Sequence, residues 1–491
     1  MPNHRDRLPS PNSPGALSNN MAITAAPAPS NFNTGQVWRH DRDHFLHPWT
    51  HFDTFKAEGS LVIAEGKGAY VYDSTGKRYL DGIGGLWCVN IGYGNEEMVQ
   101  AIADQARRLA FFSSFVDTTN PPAAELAAKL AELAPGDLNH VCYTCTGSDA
   151  NDTAVRLAHY YHARRGKPSK KHIIARLDGY HGSTYLGMSL TGRKADRSAN
   201  FHYVTDFVHH VSSPNSYRRP AGVTVEGFCD HLVSELERMI QSIGPDNVAA
   251  FIAEPVMGAG GVIVPPPGYH RRTAELCRRY DVLYIADEVV TAFGRLGHFF
   301  ASKAVFDSQP DIIVTAKGIS SGYIPLGAAI FSDVIHEVIS APDPNAWFTH
   351  GFTYSGHPVA CAAGLKNIEI IERERICEHV REVGPYFEQE MAKLKALPLV
   401  GDVRGSHFML CVENVANRET REPLPDEVNV GKRISNHCES RGLIVRPIGH
   451  LNVMSPPLIM TTAQIDELVA ILRESIIQTA DELTREGHRL T

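Results

Sequence analysis

The chain reads as an α/β protein, with a mostly parallel central sheet in a large domain and a smaller α+β domain after it. Three observations predict this. Short β-branched runs (HVCYTC, KHIIARL, VAAFIAEP, VLYIADEV, DIIVTA and GAAIF) recur between about residues 85 and 335. Amphipathic stretches such as NDTAVRLAHYYHARRG and YHRRTAELCRRYD lie between them, and strand-helix alternation argues for a sheet covered on both faces. From about residue 365 the pattern changes to long helical passages, broken by the strand-like pieces GLIVRP and LNVMSPP, with TAQIDELVAILRESIIQTADEL as a closing helix.

Taken in order, residues 1–40 open with MPNHRDRLPSPNSPGALSNNMAITAAPAPSN, rich in Pro, Ser and Asn and without apolar periodicity. This composition predicts a disordered extension, within which Met21 is a second candidate start. It has no apolar core of the kind a secretory signal needs, and its two early arginines are thin support for a transit peptide. Residues 41–84 are expected to pack with the small domain. Residues 85–364 form the large domain and residues 365–491 the small one.

At 491 residues, with 43% hydrophobic and 21% charged content, the chain has material for two or three domains with large cores. A formal net charge of −8 argues against a nucleic-acid binder. No apolar run is long enough for a membrane-spanning helix. Nine cysteines in so long a chain read as free thiols of a cytoplasmic protein. Cys142 and Cys145 form a CxxC without a second ligand pair, so they are read as small apolar strand residues and no metal is expected.

Lys317 follows the apolar run Ile312-Ile313-Val314-Thr315-Ala316, and Asp287 ends a similar run, VLYIAD. Ligands of parallel α/β sheets gather beyond the carboxyl ends of the strands, where both residues fall. Upstream, Thr146-Gly147-Ser148 lies between the strand HVCYTC and a helix, where free N–H groups and a hydroxyl make a phosphate cradle. An amine, a carboxylate and a phosphate loop together point to pyridoxal 5'-phosphate. The lysine condenses with its aldehyde and the carboxylate keeps its ring nitrogen protonated.

The blocks TGSDAN, DVLYIADEVVTAFGRLG and KGISSGYIPLGA resemble the signature segments of the class III aminotransferases, which are fold type I pyridoxal phosphate enzymes. The resemblance runs from about residue 45 to about residue 480. GGLWCVNIGYG, DGYHGST, HGFTYSGHPVACAA and GLIVRPIGHLNVMSPPL bring the chain nearest to the omega-transaminases, which pass an amino group from an amine or omega-amino acid to pyruvate. The resemblance implies catalytic roles for Lys317 and Asp287. It implies cofactor contacts from Gly147, Ser148, Tyr180 stacked on the ring, Val289 on its opposite face, and Thr353 reaching the phosphate from the partner subunit. A site shared in that way implies a homodimer, with a tetramer as the larger alternative. Glu254 is implied near the ring, and His181 receives no role.

Departures from the family pattern are Thr146 and Asp149, which keep the hydroxyl and carboxylate, and Ala292 and Leu296 in DEVVTAFGRLG. On the substrate side Trp87 and Phe115 match aromatic pocket walls. Arg446 matches a mobile arginine that grips a carboxylate with its planar fork and swings away for an uncharged amine. The expected reaction is a ping-pong transfer from an amine donor to a keto acid, with pyruvate first among acceptors. An aminomutase, decarboxylase or phospho-lyase on the same scaffold is the alternative, and a non-catalytic scaffold a remote one.

Overall fold

The computed structural model describes residues 33–490. Most of the expected disordered extension therefore lies outside the described residues. Where the two overlap, the expectation is corrected, because Thr34–His44 is a helix capped by Asn33, whose side chain accepts from the Gln36 N–H. A capping Asn ahead of a helical run outweighs the polar composition that precedes it.

The chain forms two compact units. Among the described residues one comprises residues 33–65 with Tyr72–Arg78, and the other comprises Gly66–Val71 and residues 79–490. In the first unit Gly59, at φ +75°, lies against Trp38. A Cβ there would fall 1.9 Å from the indole Nε1, so only glycine fits.

The second unit is built on a seven-stranded sheet. Its strands are β1 (His140–Thr144), β2 (His172–Arg176), β3 (Val208–Val211), β4 (Val248–Ala253), β5 (Leu283–Asp287), β6 (Ile312–Thr315) and β7 (Gly327–Phe331). Their spatial order is β1-β7-β6-β5-β4-β2-β3, and only β7 runs antiparallel to its neighbours. Strands β4 to β7 are buried at every position, which is why VAAFIA and IIVT show no alternation. Within β4, Ala250 and Ile252 pack on one face with Ala150, Ala154 and Leu157 of α1 (Gly147–Arg164). Phe251 and Ala253 pack on the other with Leu232 and Leu236 of α2 (Val225–Ile243) and Leu276 of α3 (Tyr269–Arg279). Each Ile, Leu or Phe among these contributes about 1.5–3 kcal/mol on burial, so this double cover holds the sheet rigid. Strand β3 is the one not anticipated, because its central His209 and His210 interrupt the apolar run.

A second sheet follows helix α4 (Pro358–Arg373) and helix α5 (Ile376–Ala392). Strands β8 (Val400–Ser406), β9 (Met409–Asn414), β10 (Arg446–Ile448) and β11 (Leu451–Met454) pair antiparallel in the order β8-β9-β11-β10. The segment GLIVRP, expected as one strand, divides in two. Leu443–Ile444 pairs parallel with Leu80–Asp81, and beyond the buried Val445 the chain enters the β10–β11 hairpin, which carries Arg446. The closing helix α6 (Thr462–Arg485) starts in a capping box between Thr461 and Gln464. Among the described residues no helix is long and apolar enough to cross a membrane.

Candidate active site

Six of the seven central strands share one direction, so the loops after β1, β2, β4, β5 and β6 open at the same edge. After β1, Thr146 caps α1 reciprocally with Asp149: the Thr146 N–H donates to Asp149 Oδ1 at 2.7 Å, and the Asp149 N–H returns to the Thr146 hydroxyl. The cap thus takes up the Asp149 N–H, while those of Gly147 and Ser148 occupy the first-turn positions that a helix leaves without an internal partner. Ser148 Oγ accepts from the Ser183 N–H at 3.0 Å, joining the loop after β2 to the α1 terminus. Gly182 sits so close that a Cβ on it would strike Ser148 Oγ at 2.5 Å.

At the end of β5, Asp287 is 4% exposed. Its Oδ2 accepts from Asn151 Nδ2 at 2.8 Å and bonds His181 Nδ1 at 2.8 Å, and its Oδ1 accepts the Val289 N–H at 3.1 Å. Glu254, after β4, accepts the Tyr180 N–H through Oε1 at 3.0 Å and the Gly258 N–H through Oε2 at 2.9 Å. Burial raises the Glu254 carboxyl above its ordinary range, and neighbouring Asp287 adds to this while the His181 and Arg176 charges oppose it. Tyr180 is half-buried, its hydroxyl 3.1 Å from Ser183 Oγ.

Lys317 follows β6 at φ +48°, a left-handed conformation that non-glycine residues adopt rarely and that recurs at functional sites. Burial lowers its amine below the ordinary lysine value, although Asp287, Cys88 and Glu254 pull it up; Arg446 pushes it further down. Arg446 is half-buried in β10, its charge disfavoured by burial and by Arg193 and favoured by Tyr180 and Asp196. Its guanidinium has no hydrogen-bond or ion-pair partner among the described residues.

The remaining sequence-predicted residues divide into two places. Trp87 is 5% exposed and packed in a cluster with Val256, Met409 and Val290, its ring 3.6 Å from where a Cβ on Gly258 would lie. Thr353 and Phe115 are exposed and lie on adjoining loops. Phe115 Cζ is 3.6 Å from a Cβ built on Gly351, and Ser114 Oγ donates to Ser355 O at 2.7 Å. Beside them in the chain Phe112, Val116 and Tyr354 are also exposed, a patch too apolar to be a plain solvent face, and Trp347 is exposed as well.

Comparison with known proteins decides the family. The profile of the class-III aminotransferases matches residues 54–476. This chain belongs to the class III aminotransferases. It is 44% identical over 444 residues to the putrescine–pyruvate aminotransferase of Pseudomonas aeruginosa, covering 89% of this chain and 95% of that one. Its structure superimposes on a thermostable (S)-enantioselective omega-transaminase from Thermomicrobium roseum with a TM-score of 0.88 at 42% identity, covering 92% of this chain and 100% of that one. The omega-transaminase of Pseudomonas jessenii, solved in complex with PMP, gives 0.89 at 37% identity, covering 91% and 99%. The fold is that of the fold type I enzymes, and the protein is a pyridoxal phosphate-dependent aminotransferase acting between an amino donor and a keto acid.

The residues in hand suit that cofactor. A half-buried amine of lowered basicity, a buried carboxylate and a glycine-fronted helix terminus meet at one edge of the sheet. Two side chains absent from the expected site stand beside Asp287. Asn151 lies one helical turn after Gly147, on the same face of α1, and that i, i+4 spacing within TGSDAN was the available signal. His181 adjoins Tyr180 in sequence, but no spacing rule connects it to Asp287, 106 residues away.

Proposed function

We propose that this aminotransferase takes its amino group from a primary amine or omega-amino acid and passes it to pyruvate, in a ping-pong cycle on a homodimer. One observation carries the substrate reading. Arg446 presents an unpartnered guanidinium close enough to Lys317 and Tyr180 to influence both charges, as a grip for the acceptor's carboxylate requires. The 44% identity to an enzyme named for putrescine and pyruvate supports the same pairing.

Gly147 and Ser148, with Thr353 of the partner subunit, would hold the phosphate, Tyr180 and Val289 would enclose the ring, and Asp287 would meet its nitrogen. Pyridoxal phosphate, when bound, supplies the aldehyde that accepts the amino group and a protonated ring that draws electron density from the substrate carbon. Lys317 would hold the cofactor. Because burial favours its neutral form, it also serves as the base that takes a proton from the substrate carbon. Trp87 forms the packed wall of the pocket. Phe115 and Thr353 complete it across the dimer, where the exposed patch around Tyr354 would be covered. Residues 85–364 hold the cofactor and residues 365–491 bring Arg446 to it. Nine cysteines without a disulfide suit a cytoplasmic enzyme.

The test is a donor screen with pyruvate, in which putrescine, β-alanine and an aryl alkyl amine are each followed by alanine formed against donor consumed. One alanine per donor is expected for at least one of them. Donor loss with carbon dioxide or an isomer as product, and no alanine, would replace transamination by another reaction of this scaffold.

A further inference from the structure

Asp287 is held more elaborately than a carboxylate at a strand end requires. Both side-chain donors, Asn151 Nδ2 and His181 Nδ1, converge on the single oxygen Oδ2 at 2.8 Å, while Oδ1 takes only the Val289 N–H at 3.1 Å. A carboxylate only accepts, so Nδ1 of His181 carries the hydrogen. The imidazole is itself fixed from both ends of its residue. The His181 N–H donates to Thr191 Oγ1 at 2.9 Å, and its carbonyl accepts from the same Asn151 amide at 2.9 Å. His181 is 1% exposed, and His181 Nε2 and Asn151 Oδ1 are buried without a partner among the described residues. Leaving two buried polar atoms unsatisfied is costly, which argues that the pair is kept for what its other atoms do.

We propose that His181 is a positioning residue for Asp287. Together with Asn151 it directs two donors at Oδ2, which fixes the carboxylate's orientation and leaves Oδ1 as the oxygen to meet the cofactor's ring nitrogen. The titratable groups that act on this pair are Lys317 and Glu254, with His210 facing His181. None of the three hydrogen-bonds the Asp287 carboxylate, so the task falls to His181 and Asn151. This proposal deepens the aminotransferase reading and rests on the role that reading gives Asp287.

The test uses apoenzyme reloaded with pyridoxal phosphate carrying ¹⁵N in its ring, and reads the nitrogen's chemical shift against pH beside the cofactor's dissociation constant. His181→Asn places an amide donor where Nδ1 stands, whereas His181→Gln carries its amide to the Nε2 position. The Asn variant is expected to keep the protonated-ring signal and near-normal affinity. The Gln variant is expected to lose that signal by mildly alkaline pH and to bind the cofactor about tenfold to a hundredfold more weakly, as loss of a hydrogen bond to a charged group implies. Asn151→Ala, which removes the other donor, should shift the signal in the same direction and serves if the Gln variant does not fold. If the Asn and Gln variants behave alike, or neither the Gln nor the Asn151→Ala variant moves the signal, the positioning role is wrong. Asp287→Asn separates the two readings. A moved signal there with none in the His181 variants sinks only this proposal, whereas an unmoved signal sinks the contact between Asp287 and the ring as well.

Discussion

Gly147 and Val289 stand close together where the loop read as a phosphate cradle meets the strand that ends in Asp287. A methyl group on Gly147 would fall 2.8 Å from Val289 Cγ2 and 3.0 Å from Cγ1. The absent side chain therefore lets the helix terminus approach the residue read as one face of the ring site. Gly147→Ala should force the two apart at a cost of about 1–3 kcal/mol, or roughly fivefold to a hundredfold in cofactor affinity. Val289→Ala in the same chain should restore much of it by clearing the collision. Titrating apoenzyme with pyridoxal phosphate by fluorescence quenching measures both. A tight-binding Gly147→Ala, or a double variant no better than the single, would remove Val289 from this role.

Lys317 links function to stability with a definite sign. Its amine lies below the ordinary value in the folded chain, so over the interval between the two values the unfolded chain holds a proton that the folded chain lacks. Stability of the apoenzyme therefore rises with pH across that interval. Below it the lysine is a burden, and above an ordinary value of about 10.4 the burden is gone. Apo Lys317→Met should accordingly melt about 1–3 °C higher than the apo wild type at pH 7, with the gap narrowing by pH 9.5. It should also lose at least about a thousandfold in turnover, within the range for a positioned acid-base group. Melting curves at the two pH values decide the first point. A lower-melting variant with no trend would mean the amine is not held neutral.

Much of this was legible in the sequence because it depends on local order. Strand runs that end in Asp287 and near Lys317 place both residues at one sheet edge, and the Gly-Ser step marks the start of the helix that follows β1. Strand β3 escaped notice because its two central residues are histidines, and GLIVRP was read whole because nothing in its composition says that it leaves one sheet for another at Val445. Asn151 and His181 were missed for a different reason. Their bonds to Asp287 span 136 and 106 residues, and side-chain meetings at that separation follow from the folded topology alone.

Thr353 tests whether the site is shared. It is exposed in the single chain, on a turn beside Phe115 and next to the exposed ring of Tyr354. Thr353→Ala should loosen cofactor binding by roughly three- to tenfold, one neutral hydrogen bond, and leave donor preference unchanged. Light scattering should give a dimer or tetramer for the wild type. A fully cofactor-loaded monomer would contradict both the contact and the covered patch.

Arg446→Ala separates the two half-reactions. The guanidinium has no partner among the described residues, sits near enough to Tyr180 and Lys317 to affect their protonation, and is disfavoured by burial and by Arg193. An arginine held in that state gains most when a carboxylate arrives, because the arriving charge satisfies its fork and offsets the repulsion. A keto acid brings such a carboxylate, whereas a simple amine does not. Losing a charged hydrogen-bond partner costs about 1.5–3 kcal/mol, so the reaction of the aminated enzyme with pyruvate should slow about tenfold to a hundredfold at low substrate. Deamination of an uncharged amine in a single turnover should change by less than about threefold, since on this reading no carboxylate contact is lost. Stopped-flow absorbance of the cofactor reads both rate constants on one preparation. Equal losses in the two would make Arg446 a structural residue of the β10–β11 hairpin, and no loss in either would take it out of the pocket.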